Sequence, residues 1–152
     1  MKREKRRVLA VSSGGGHWVE LLRLAPAFDG HDITYASVDE AYRADLGGER
    51  FHVVHDVTRW NRIRWIQTSW QVLWILLSEM PDVVVSTGAL PGYVAIRLAR
   101  MLRRRTIWID SIANVDELSM SGQRIGKYAD LWLTQWPHLA RPSGPHFLGA
   151  VL

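Results

Sequence analysis

The chain has 152 residues, 47% of them hydrophobic, with eight tryptophans, no cysteine and a formal charge of +4. That length suits one compact domain, and the apolar content excludes a disordered, collagenous or coiled-coil chain. The lack of cysteine excludes a disulfide scaffold, a thiolate-held zinc site and a thiol nucleophile.

The basic residues are unevenly placed. Lys2, Arg3, Lys5, Arg6 and Arg7 open the chain as a basic tail over residues 1–7. Arg97, Arg100, Arg103, Arg104 and Arg105 form a second cluster, and the remainder is acidic on balance. This argues against a nucleic-acid partner and for anionic groups met at particular places, either a phospholipid surface or a phosphorylated substrate. The short apolar run after the tail is too brief for a signal-peptide core. The most apolar stretch, 65–77, is broken by polar residues and falls short of the ~20 residues that a spanning helix needs.

In chain order, the first β-like run is 7–13. Gly14, Gly15, Gly16 and His17 follow and open a helical stretch over 17–28, where Val19, Leu21, Leu22 and Leu24 recur at helical spacing. A strand over 32–38, a short helix over 39–46 and a strand over 51–57 come next. A long helix over 61–79 leads to a strand over 82–87 and a helix over 91–104. In that helix Pro91 suits the first turn, and positions 94, 95, 98, 101 and 102 form one apolar stripe. A strand over 106–110, a polar loop, a looser helix over 121–129 and a strand over 130–135 complete the pattern. Several strands are apolar on both faces, as when helices cover both sides of a sheet. The alternation implies right-handed crossovers and a single α/β domain over 1–152, a Rossmann-like doubly wound parallel sheet.

Ligands of such sheets bind beyond the carboxyl ends of the strands, near the switch point between the first and fourth. The glycines after the first strand allow a sharp turn and close approach of amides to an anion, at a helix N-terminus. Ser86, Thr87 and Gly88 after the fourth strand open a second helix start with hydroxyl donors. Two facing helix starts make a diphosphate cradle. The glycine run lacks the third small residue of a dinucleotide fingerprint, with Val19 in its place. Asp39 at the end of the second strand still keeps a ribose-binding, nicotinamide-dependent oxidoreductase open as an alternative. His17, at a helix start over the crevice, suits removal of a proton from a sugar hydroxyl. Asp110 and Ser111 end the fifth strand at the same edge. The carboxylate there either orients His17, binds a sugar hydroxyl or caps the next segment. No histidine spacing suggests a metal site.

In the 61–79 helix, Ile63, Ile66, Trp70, Leu73, Trp74 and Leu77 read as the core stripe. Trp65, Val72, Ile75 and Leu76 then add apolar area on other faces. With Arg59, Arg62 and Arg64 at its start, the excess suits a membrane interface or another chain. A wholly buried helix, or a non-catalytic membrane scaffold, remains the alternative.

"VSSGGGHWVELLRL", "PDVVVSTGAL", "WIDSIANVDELSMSG" and "YADLWLTQWPHL" together resemble, in order and spacing, the acceptor-binding subunit of two-part GT-B glycosyltransferases. That family includes asparagine-linked glycosylation protein fourteen and the PssD-like proteins of bacterial polysaccharide synthesis, with a more distant likeness to the N-terminal half of MurG-like transferases. The resemblance implies one half of a GT-B fold that binds a lipid-diphosphate-linked acceptor at the membrane. A separate partner subunit would hold the UDP-sugar, and transfer would invert the sugar without a metal or other cofactor. It implies a cytoplasmic chain, peripheral at the inner face of the membrane and inactive without its partner. Carried over, Gly14, Gly15 and Gly16 face the acceptor diphosphate and His17 is the base. Asp110 stands where the family typically has Glu. Ser119, Met120, Ser121 and Gly122 replace a usual Ser-Leu-Thr-Gly, and Asn114 stands where Arg is common.

Overall fold

The computed structural model describes residues 4–58 and 60–151. Lys2, Arg3 and Arg59, named above, lie outside the described residues. Seven parallel strands form one sheet: β1 (Arg7–Val11), β2 (Asp32–Ser37), β3 (Arg50–Val53), β4 (Val83–Ser86), β5 (Arg105–Ile109), β6 (Leu131–Thr134) and β7 (His146–Phe147). Their order is β3-β2-β1-β4-β5-β6-β7. β1 therefore lies between β2 and β4, with Val8 opposite both Ile33 and Val83. This is the doubly wound order, with its switch point where the sequence places it.

Helix α1 (Gly16–Arg23) covers one face of the sheet; α2 (Arg62–Glu79), α3 (Ala89–Met101) and α4 (Met120–Ile125) serve the other. Alternation along β1 feeds both layers. Leu9 and Val11 join the α2–α3 core, while Ala10 joins Trp18, Leu21, Tyr35 and Phe51 under α1. Trp18 anchors that second layer: it stacks on Tyr42 with centroids 5.0 Å apart, meets Tyr35 and Phe51 edge-on, and donates its indole N–H to Asp45 at 2.8 Å. Burial there, reinforced by Glu49, pushes the Tyr35 phenol up to about 12.

Several boundaries differ from the sequence reading for local reasons. The first helix stops at Arg23, and Pro26 sits in a 3-10 turn over Ala25–Phe28. The 39–46 stretch is a 3-10 turn, Glu40–Asp45, started by the Asp39 carboxylate accepting from the Ala41 N–H at 2.9 Å. α4 ends at Ile125, and a Cβ at Gly126 would lie 2.4 Å from the Trp132 ring. β7, a two-residue edge strand, has no sequence signal of its own. In α3, Val94 and Ala95 are buried as expected, but Met101 overhangs the last turn and is exposed.

The largest correction concerns α2. The stripe read as core faces outward: Ile63, Ile66, Trp70, Trp74 and Leu77 are 58–70% exposed. Thr68, Val72, Ile75 and Leu76 are buried instead. Both stripes recur at helical spacing, so period alone does not choose between them. The buried one includes Thr68, whose hydroxyl donates to the His55 carbonyl at 3.1 Å, and ends at Glu79, which accepts from His52 at 2.7 Å and pairs with Arg50 at 3.0 Å. These polar anchors made it the less hydrophobic stripe and hid it.

Candidate functional site

The carboxyl edge of the sheet opens into a cleft of about 650 Å³ between the loop after β1, α2, the start of α3 and the loop after β5. Of the residues singled out from sequence, Gly14, His17, Trp65, Ser111, Asn114 and Ser121 line it. Ser119 and Met120 of the same motif line it as well, together with Val38, Asp56, Tyr93 and Arg124, to which nothing in the sequence pattern pointed.

His17 is held by a reciprocal stitch across the switch point. Its Nδ1 lies 3.0 Å from the Thr87 carbonyl oxygen, and the Thr87 hydroxyl donates back to the His17 carbonyl at 2.7 Å. A carbonyl can only accept, so Nδ1 carries the ring proton and Nε2 keeps the lone pair. Gly88 makes this approach possible. At φ 135° it occupies a region that suits glycine, and a Cβ there would sit 2.7 Å from the His17 Cε1. Ala89, the next residue, holds a left-handed φ of 63° on the cleft wall, a local strain of the kind that clusters at binding sites.

The glycine loop is shaped by Tyr42. Its hydroxyl accepts from the Gly15 N–H at 2.9 Å, and a Cβ on Gly14 would meet that oxygen at 2.6 Å. Gly15 and Gly16 are exposed at the start of α1, which has no side-chain cap; the Gly15 N–H is taken by Tyr42 and the Trp18 N–H by the Gly15 carbonyl, which leaves the Gly16 and His17 amides for an outside acceptor. Ser86 and Thr87, in contrast, are fully buried. The Ser86 hydroxyl accepts from the Gly88 N–H at 3.1 Å and the Thr87 hydroxyl is in the His17 stitch. The two hydroxyls expected to face a ligand lie under the floor and hold His17 in place.

Asp110 is also buried, and its carboxylate does not turn toward His17. It accepts from the Trp108 indole at 3.2 Å, the Asn114 amide at 3.2 Å, the Ser119 N–H at 2.8 Å and the Ser119 hydroxyl at 2.6 Å. The last three of these bonds tie the 111–119 loop to the end of β5, and the Trp108 bond holds the carboxylate on the strand. Gly122 packs behind them, where a Cβ would fall 2.4 Å from an Asp110 oxygen. Ser111 turns inward and accepts from the Ala113 N–H at 3.2 Å. The acid near His17 is Glu20, one helical turn on, with Oε2 4.0 Å from Nδ1. The i, i+3 spacing was its only sequence signal, and it went unused. Asp39 caps its own turn.

On the cleft's flank, Trp65 packs partly buried against the core, while Trp70 and Trp74 stand on the exposed face of α2 and Arg62 and Arg64 are exposed at its start. Arg7 and Arg105, one from each basic cluster, begin their strands at the opposite edge of the sheet from His17.

Residues 49–151 match the family described as "Oligosaccharide biosynthesis protein Alg14 like". The chain belongs to the Alg14-like family. It is 28% identical to the human UDP-N-acetylglucosamine transferase subunit ALG14 over 169 residues, covering 90% of this chain and 78% of the human one. It is 26% identical to the Schizosaccharomyces pombe protein of that name over 168 residues, with the same coverage. Among solved structures, this Alg14-like fold is similar to MurG of Acinetobacter baumannii, with TM-score 0.79 and 12% identity over 97% of this chain. It spans 46% of that MurG, about half its length. UDP-N-acetylglucosamine 2-epimerase of Rickettsia bellii is similar too, with TM-score 0.68 and 14% identity over 89% of this chain and 40% of that one. At these identities the likeness concerns the fold, one Rossmann-like half of a GT-B architecture.

Proposed function

We propose that this chain is the acceptor-binding subunit of an inverting glycosyltransferase, acting with a partner subunit that holds a UDP-sugar. The observation that carries the proposal is the His17 stitch: a fixed imidazole with Nδ1 protonated, leaving Nε2 to accept a proton in a cleft at the sheet's carboxyl edge. An acceptor hydroxyl placed there gives its proton to Nε2 as its oxygen attacks the anomeric carbon. The bond from that carbon to the UDP phosphate oxygen breaks, and UDP leaves with the electron pair. The glycine-loop amides at the start of α1 hold the acceptor's phosphates. The names of the human and fission-yeast relatives make UDP-N-acetylglucosamine the first donor to test.

The acceptor is a lipid-diphosphate-linked saccharide, and the chain lies peripherally on the inner face of a membrane. The support is the outward stripe of α2, where Ile63, Ile66, Trp70, Trp74 and Leu77 are exposed on one face with Arg62 and Arg64 at its cleft end. Trp65, on the other side of the same helix, lines the cleft. A lipid surface against α2 therefore brings a membrane-held acceptor within reach of His17. No helix among the described residues is long and apolar enough to cross a membrane.

The test is reconstitution with a candidate UDP-sugar-binding partner, UDP-N-acetylglucosamine and a lipid-diphosphate acceptor. Transfer is expected from the pair and from neither chain alone. His17→Ala in the pair is expected to cost about 10²–10⁴-fold in rate. Full transfer by that variant would remove the base assignment and favour a scaffold that only brings the partner to the membrane.

A further inference from the structure

Glu20 is 3% exposed, in the middle of α1 on the side facing the cleft floor. One of its oxygens is occupied: Oε1 accepts from the Ile112 N–H at 2.7 Å and from the Gln135 amide at 3.1 Å. The other, Oε2, is buried with no hydrogen-bond partner and lies 4.0 Å from the His17 Nδ1. A buried carboxylate oxygen without a donor is costly, and such sites persist where the charge has a use. The neighbouring group that changes charge in the proposed reaction is the His17 ring.

We propose that Glu20 is a positioning residue that stabilises the His17 imidazolium formed during transfer. The inference rests on the reading of His17 as the base. As the acceptor hydroxyl gives its proton to Nε2, the ring becomes a cation with both nitrogens protonated. In this step Glu20 takes no proton and acts through its charge. Its Oε2 lies 4.0 Å from Nδ1 in a fixed, buried position and meets the developing charge with little reorganisation. The Nδ1–H stays on the Thr87 carbonyl, which fixes the ring, while Glu20 supplies the negative charge that a carbonyl lacks. Glu20 thereby takes the part that the sequence offered to Asp110, whose oxygens are all engaged by the 111–119 loop. Other charged groups share the cleft with His17: Asp56 after β3 and Arg124 on α4. Both are exposed to solvent, so screening weakens them relative to Glu20.

The test pairs Glu20→Gln with Glu20→Asp. Glutamine keeps an oxygen for Ile112 and Gln135 but removes the charge; aspartate keeps the charge and draws it back. With the partner subunit present, Glu20→Gln is expected to lower kcat roughly tenfold, less than loss of the base itself, with KM nearly unchanged. The acid limb of its pH–rate profile moves to lower pH, because the imidazolium has lost its counter-charge. Glu20→Asp restores the limb toward the parent position. A second readout needs no turnover: in the full chain, the His17 ring resonance titrates at lower pH in Glu20→Gln than in the parent. An unmoved limb and an unmoved resonance in a folded Glu20→Gln chain would overturn the proposal and leave Glu20 as a loop anchor. Failure of the underlying reading looks different: the resonance moves as expected, but His17→Ala retains full transfer.

Discussion

At the scale of single residues, the site is built from contacts that leave no room. A Gly88→Ala change drives a methyl into the His17 ring and forces an unfavourable backbone angle. We expect a loss of about 1–3 kcal/mol in stability and a drop in transfer larger than that loss explains, measured by urea unfolding beside activity of the paired subunits. A drop in transfer no greater than the loss of folded protein would show that the ring position is not needed. Asp110→Asn replaces an acceptor of four hydrogen bonds by a group that presents N–H to donors. It should cost about 1–3 kcal/mol and raise amide exchange in the 111–119 loop first; uniform exchange along the chain would contradict the loop-holding role. His17 was legible from sequence because a histidine after a glycine turn at a helix start has few structural uses. The roles of Thr87 and Glu20 were not: Glu20 is fixed by Ile112 and Gln135 from the far half of the chain, and Thr87 reaches His17 because β1 and β4 lie side by side. That adjacency joins residues 70 apart in the chain.

At the scale of elements, α2 separates pattern from placement. Leu76 is 1% exposed whereas Trp70 and Trp74 are 68% and 61% exposed, so the smaller residue should matter more for folding. Leu76→Ala is expected to cost about 2–5 kcal/mol. The Trp70→Ala, Trp74→Ala pair should change stability by less than about 1 kcal/mol yet abolish flotation with anionic vesicles. Equal melting losses for both variants would return the tryptophans to a core. The sequence located this helix correctly and misassigned its faces, because summed hydrophobicity outranked a buried threonine and a glutamate that anchor the less apolar stripe. The α1 layer carries a pH prediction. Tyr35 ionises near 12 when folded and near 10 when unfolded, so the folded state holds its proton more tightly. Its contribution is complete below pH 10 and is lost as pH rises from 10 toward 12. Tyr35→Phe should flatten that alkaline loss in thermal melts, and an unchanged slope would assign it to other groups.

At the scale of the whole molecule, the parallel sheet and the helices on both faces followed from alternation and crossover handedness, and the edge that carries the cleft followed once the usual doubly wound strand order was assumed. The short pieces did not follow: β7 and the 3-10 turns depend on packing rather than on periodicity. Charge was readable by sign and not by position, since Arg7 and Arg105, one from each basic cluster, begin strands at the sheet edge opposite the cleft. The stitch between His17 and Thr87 also has a consequence in time. Its two halves lie in α1 and just after β4, with β2, β3 and α2 strung between them, so local folding of the first half of the chain cannot assemble it. The imidazole acquires its proton arrangement only after the longest of these loops has closed, late in folding where non-local pairing is slow. A chain still emerging from the ribosome with β4 unmade carries His17 with its ring proton free to sit on either nitrogen.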